Sequence, residues 1–165
     1  MIQGAGYYAG IDPSKSSTGF AILNATKELI DYGVIRPDKE LSFEEQLHYH
    51  YIELDKLFSR YNIRQVVMED QFFQNNAETL KQLARVSAMT MLVCQQKGIP
   101  MITNMPNAWR KTFHGAGSKW NKRDTFEKVK EMYGLNTFKY TKHNDITDAI
   151  GIGNACVDYS LINNL

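Results

Sequence analysis

Several acidic residues in this 165-residue chain occupy positions where a carboxylate is out of place. Asp12 interrupts the apolar run of "YYAGIDPSKSSTGFAIL", Tyr7 to Leu23. An unpaired buried charge costs on the order of several kcal/mol or is neutralised, so something must hold it there. Glu69 and Asp70 close the apolar segment "RQVVMED", and Asp145 and Asp148 stand three apart in "NDITDAIGIGNA". On a helix that spacing shares one face, with Cβ atoms about 5 to 6 Å apart. Consecutive strand residues point to opposite faces, so only one of Glu69 and Asp70 can join Asp12, and the pattern leaves open which. Acids brought together this way repel unless a cation or a proton lies between them. Carboxylate oxygens without His or Cys partners favour Mg²⁺ or Mn²⁺ over Zn²⁺. Taken singly, Asp12 also reads as a turn cap and Asp145 as an acid complementing a helix dipole. The constellation is what points to metal chemistry.

The elements that would have to position these acids follow from hydrophobic periodicity. Tyr7 to Asp12, Thr18 to Asn24 and Glu28 to Arg36 have strand character and are joined by short polar turns, as antiparallel neighbours are. Ser42, with Glu45 three residues later, predicts a capping box opening a helix to about Tyr61. "RQVVMEDQF" reads as a fourth strand, and "NAETLKQLARVSAMTMLVCQQKG" as a long helix stopped by Gly98. On that helix Ala77, Leu80, Ala84, Ser87, Met91 and Cys94 are expected to share the inner face. "PMITN" is the fifth strand. A short basic helix around "NAWRKTF", a glycine loop "HGAGSKWNK", a helix from about Arg123 to Tyr133 and a last helix beginning near Asp145 complete the chain. With right-handed crossovers this order fits an α/β fold: three antiparallel strands, then two parallel ones, in a five-stranded mixed sheet flanked by helices.

Composition narrows the class. With 43% hydrophobic residues and no linker, repeat or low-complexity tract, residues 1–165 are expected to form one domain. No basic leader followed by an apolar segment opens the chain, and no run approaches the roughly 20 apolar residues that span a bilayer. A soluble, intracellular protein with no membrane partner is expected. Cys94 and Cys156 lack metal-ligand spacing and read as buried thiols. The net charge is only +1, but from Asn107 to Lys142 nine basic residues face three acidic ones. Such a segment suits a polyanion, although a solvated helix surface would show the same bias.

Three stretches together resemble one family. "GIDPSKSSTGFAIL", "MEDQFFQNNAETLKQLARVSAM" and "NDITDAIGIGNA" are similar to the opening, middle and closing motifs of the RuvC Holliday junction resolvases, including members of phage type, over nearly the whole chain. The resemblance implies an RNase H-like fold. It implies Glu69 rather than Asp70 as the second acid, completing a catalytic and metal-binding set of Asp12, Glu69, Asp145 and Asp148. It also implies two Mg²⁺ per site, with Mn²⁺ able to substitute. The expected activity is paired hydrolysis of branched DNA, chiefly four-way junctions, leaving 5′-phosphate and 3′-hydroxyl ends, in a bacterial or phage-infected cytoplasm. Arg110, Lys111, Lys119 and Lys122 are the expected phosphate contacts. Phe72 falls on the family's junction-contacting aromatic, with Phe73 as a second candidate that could equally close the core. His143 is a possible accessory group beside Asp145, while His48 and His50 are expected on a solvated helix face. A homodimer is expected, built on the apolar second half of the long helix, because one acid cluster makes one cut and a junction needs two.

Two departures stand out. Ser14 replaces the family's glycine after Asp-Pro, and Asp70 replaces a glutamine. Rival readings also have distinct signatures. The "GIDPSKSSTG" segment resembles the phosphate loop of actin-like ATPases, which need two related domains. A catalytically idle junction binder would lack one of the acids, and all four are present.

Overall fold

The computed structural model describes residues 6–70, 76–117 and 119–162. Its strands are β1 (Tyr7–Asp12), β2 (Thr18–Asn24), β3 (Leu29–Ile35), β4 (Ile63–Glu69) and β5 (Met101–Asn104). Its helices are α1 (Phe43–Arg60), α2 (Ala77–Lys97), α3 (Pro106–His114), α4 (Lys122–Met132) and α5 (Tyr140–Ile162). The sheet order is β3-β2-β1-β4-β5. β1 pairs antiparallel with β2, and β2 with β3, whereas β4 runs parallel to both β1 and β5. The mixed five-stranded sheet expected from the periodicity is therefore present.

Alternation along the strands divides the core in two. Ala9, Ile11, Ile22, Val66 and Met68 pack on one face against Leu54, Leu57 and Phe58 of α1 and Val93 and Cys94 of α2. Ala21, Leu23 and Val67 pack on the other against Trp109 and Phe113 of α3, Val129 of α4 and Ile150 and Ile152 of α5. Ser42 caps α1 with the reciprocal Glu45 contact, and Gly98 ends α2 at φ 64°, the left-handed conformation that favours glycine. Both cysteines are buried free thiols; burial raises Cys94 to about 12.

Three sequence expectations need correction. α5 begins at Tyr140, five residues before Asp145, and its first turn holds no acid. Its start is tied down by His143, whose Nδ1 accepts the Lys139 N–H at 2.9 Å. On α2 the buried residues are Val86, Ser87, Thr90, Val93 and Cys94, so Ala77, Ala84 and Met91 lie outside the buried face. The inner face turns on Thr90, a residue that an apolar tally omits. His50 is fully buried rather than solvated; its Nε2 lies 3.2 Å from the Lys15 carbonyl, fastening α1 to the β1–β2 turn. Burial lowers its pKa.

α5 lies unusually close to the sheet. A Cβ built on Gly10 would stand 2.2 Å from both the Ala149 carbonyl oxygen and the Gly153 nitrogen, and one on Gly19 would stand 2.1 Å from the Asp145 carbonyl oxygen. These are backbone atoms of a packed helix, which cannot swing away. Gly10→Ala should therefore lower the free energy of urea unfolding by about 3 kcal/mol or more, the upper range for overpacking a core. Gly33→Ala, whose new methyl would meet only the edge of the Phe20 ring at 3.0 Å, should cost far less in the same measurement.

Candidate active site

Strand parity decides which acids meet. Ile11 of β1 pairs with Met68 of β4, and both face the α1–α2 core. The next residue on each strand, Asp12 and Glu69, must then face α5, side by side at the ends of two parallel strands. Asp70 follows Glu69 beyond the strand end and is exposed; its N–H donates to the Asn104 carbonyl. Asp145 and Asp148, on the second and third turns of α5, come down onto the same place because α5 rests on Gly10 and Gly19.

The acids act on one another electrostatically. Burial raises the Asp12 carboxyl well above its ordinary value, and the charges of Asp148, Glu69 and Asp145 push it further, against the pull of Lys122. Asp148 is completely buried and is likewise raised by burial, with Lys122 and Arg110 opposing. Glu69 is raised by burial and lowered by a hydrogen bond from Trp109. Two cations answer this excess. Lys122 Nζ lies 3.0 Å from Asp148 Oδ2. Burial pulls the Lys122 pKa down, but Asp148, Asp12 and Glu69 outweigh it and raise it overall. Arg110 Nη2 lies 3.6 Å from Asp148 Oδ2 and 3.8 Å from Glu69 Oε2.

Local structure positions both cations. Lys122 is the first residue of α4, held by a capping box between Asn121 and Asp124. The preceding loop is anchored where Trp120 stacks on His114, 4.5 Å between ring centres. Arg110 lies over the Trp109 ring, 4.5 Å from its centre.

Among the described residues, no group of three or more His, Cys, Asp or Glu side chains stands close enough together to hold a metal ion as it is. The donor set nevertheless suits a hard divalent cation, being all carboxylate oxygen. Six buried side-chain polar atoms among the described residues make no well-formed hydrogen bond, and four of them are here: Nε and Nη2 of Arg110 and both oxygens of Asp148, of which Oδ2 has only its ion pairs with Lys122 and Arg110. Buried polar groups are nearly always satisfied, so such a concentration marks a place built for a ligand with positive charge for the acids and acceptor oxygens for the guanidinium.

The other sequence-derived candidates separate. Arg110 is only 7% exposed and its guanidinium is turned toward the acids. Lys111 and Lys119 are exposed. Of the two loop lysines it is Lys122 whose ammonium reaches the acids. His143 stacks on Phe138, 4.4 Å between ring centres, and its ring contacts are with Phe138 and Lys139. Phe72 and Phe73 lie outside the described residues. The departure at Ser14 is accommodated without a positive φ: its N–H donates to Thr18 Oγ1 at 3.1 Å, and Thr18 returns a bond to the Ser14 carbonyl.

Sequence reasoning missed Trp109. Its indole is completely buried and Nε1 donates to Glu69 Oε2 at 2.7 Å. Gly151 of α5 makes room for the ring, since a Cβ there would lie 2.8 Å from it. The available signal was a tryptophan directly before a basic residue on an otherwise polar helix, but it reads equally as core.

The sheet order and the acids at its centre define the RNase H-like class of folds. Two solved structures show it at low sequence identity. Thermus thermophilus RuvC in complex with a Holliday junction substrate superposes with a TM-score of 0.79 at 19% identity, covering 95% of this chain and 96% of that one. The yeast mitochondrial Holliday junction resolvase gives 0.69 at 12%, covering 98% and 81%. The family model for crossover junction endodeoxyribonuclease RuvC matches residues 8–155, and the chain belongs to that family. Relatives of that name include those of Fusobacterium nucleatum, 31% identical over 87% of this chain and 75% of its own length, and Clostridioides difficile, 29% identical over 87% and 85%. Nucleases of this family depend on divalent metal. The described residues contain no helix long and apolar enough to cross a membrane.

Trp109→Phe keeps the ring and removes the donor to Glu69. Partners that orient a metal-binding carboxylate typically contribute about 10- to 100-fold in metal affinity. The half-saturating metal concentration, read by calorimetry as well as by activity, should rise by that order. Melting should reveal a loss of about 1 to 3 kcal/mol for the buried acceptor left without its donor.

Proposed function

We propose that this chain is a metal-dependent, structure-selective endonuclease that resolves four-way DNA junctions by phosphodiester hydrolysis, leaving a 5′-phosphate and a 3′-hydroxyl. The observation that carries the reading is the convergence of Asp12, Glu69, Asp145 and Asp148 on the α5 side of the two central strands, in a chain whose relatives are named crossover junction endodeoxyribonucleases. An idle junction binder would have no use for so costly a cluster. The actin-like alternative is disfavoured by a family match that spans residues 8–155 as a RuvC unit. DNA is met in the cytoplasm of a bacterial cell, or of its host if the chain is phage-encoded.

The four acids would hold Mg²⁺, two ions per site, with Mn²⁺ able to replace it. When bound, such ions supply Lewis-acid activation of the attacking water and neutralise charge at the phosphorus. The chain's own residues do the rest. Trp109 orients Glu69. Lys122, kept protonated by its acidic neighbours, and Arg110, with unsatisfied N–H groups, present positive charge to an arriving phosphate. Lys111 and Lys119 offer exposed phosphate contacts farther out.

The amide variants Asp12→Asn, Glu69→Gln, Asp145→Asn and Asp148→Asn should each reduce cleavage of a labelled junction to background. Junction binding by gel shift should persist or tighten, because one negative charge near the phosphates is gone. Asp70→Asn should stay active. Near parental turnover in any of the four would remove that residue from the site.

A junction needs two cuts and each chain carries one acid cluster, so the working form would be a two-fold dimer. Its surface would be the outer side of α2, where Met91 and Leu92 are 43% and 44% exposed. Sedimentation should report about twice the 18.9 kDa chain mass. Leu92→Glu should shift the protein to monomer and suppress paired cuts more than single nicks; a parent that sediments as a monomer both free and on a junction would exclude the dimer.

A further inference from the structure

Two clefts border the acid set, and only one belongs to the arrangement above. The first, of about 800 Å³, is lined by Asp12, Glu69, Lys122 and Asp145 together with the β1–β2 turn and the first turns of α2. The second, of about 930 Å³, runs between the β2–β3 end of the sheet and the start of α5, with Ser17, Arg36, Lys39, Lys142 and His143 on its walls and Asp145 again at its inner end. Asp145 is common to both, so the two clefts flank the same acid.

We propose that this second groove is a binding site for the phosphodiester backbone of the strand being cut, on the side of the scissile phosphate away from α2. The inference rests on the nuclease reading and adds a path for the substrate.

The charges and donors fit a phosphodiester. Arg36, Lys39 and Lys142 outnumber the single acid of the lining, Asp145. The neighbouring Asp38 is turned into its own bend, where its carboxylate accepts the Glu40 N–H at 3.0 Å. Arg36 Nη2 donates to the buried Ser17 Oγ at 3.2 Å. That bond sets the guanidinium at the groove while occupying one of its five N–H donors, and a guanidinium fork suits phosphate oxygens. Ser16 and Asn144 add neutral donors to the lining.

The groove offers bases little. His143 is its one aromatic ring, and that ring is already stacked on Phe138. Stacking on aromatic side chains is how single strands are gripped by their bases, whereas charged and hydroxyl donors position the backbone without reading sequence. The site should therefore contribute affinity and register without contributing sequence preference.

The test uses the full chain and a four-way junction, with binding measured in EDTA across a salt series and cleavage measured separately in Mg²⁺. Each lost phosphate contact removes about 0.9 from the log–log salt slope on duplex DNA, so Arg36→Ala/Lys142→Ala should lower the slope by about 1.8. Cleavage at saturating protein should stay within about twofold while the protein concentration giving half-maximal rate rises, a split that a damaged fold would not produce. Lys56→Ala, on α1 in an ion pair with Glu53, should leave the slope unchanged. If the parent binds and cuts junctions and the double variant keeps the parental slope, the groove proposal fails and the nuclease reading stands. If the parent neither binds nor cuts, the reading beneath it fails as well.

Discussion

The close approach of α5 to the first two strands is the constraint on which the rest of this structure depends. Gly10, Gly19 and Gly153 give up side-chain volume so that helix backbone lies against strand backbone. The gain is positional. Side chains of ordinary size at these glycines would hold the helix farther from the strands and the aspartates farther from the carboxylate at the end of β1. With the backbones touching, Asp145 and Asp148 share the electrostatic environment of Asp12. Gly151, on the other side of the same helix, makes the matching concession to Trp109, and through it to Glu69. One helix thus has small residues on two sides, each serving a different acid.

That geometry concentrates negative charge where water is largely excluded, and the protein offsets it with two cations of unequal character. Arg110 is buried, stacked on Trp109 and short of hydrogen bonds; Lys122 reaches in from the surface on a half-exposed stem with its ammonium at Asp148. A planar guanidinium over an aromatic ring presents fixed N–H directions, while the lysine ammonium acts as a compact point charge at the end of its stem. The neighbouring grooves share Asp145, which is half-buried where Asp12 and Asp148 are buried.

The low identity to the solved structures, 19% and 12%, carries only the fold. The residues that do the positioning here, Trp109 with Gly151 and the Ser14–Thr18 bonds that stand in for a glycine turn, are read from the contacts of this chain.

The alternation of apolar residues was enough to determine the strands, since a half-buried sheet demands a period of two, and the Ser42–Glu45 box and Gly98 were enough to bound their helices, since caps act over three or four residues. The four acids were also visible as types out of place. Their grouping came only from the family resemblance and not from the pattern, because whether Glu69 or Asp70 faces Asp12 depends on the register of β1 against β4, a contact between residues nearly sixty apart that neither segment encodes alone. The same holds for the misplaced start of α5, settled by His143 and Lys139, and for the inner face of α2, settled by what packs beneath Thr90. Burial of His50 and Arg110 was likewise a tertiary decision. A polar side chain is solvated by default, and only a partner supplied by a distant segment, the Lys15 carbonyl in one case and the Asp148 carboxylate in the other, makes its burial affordable.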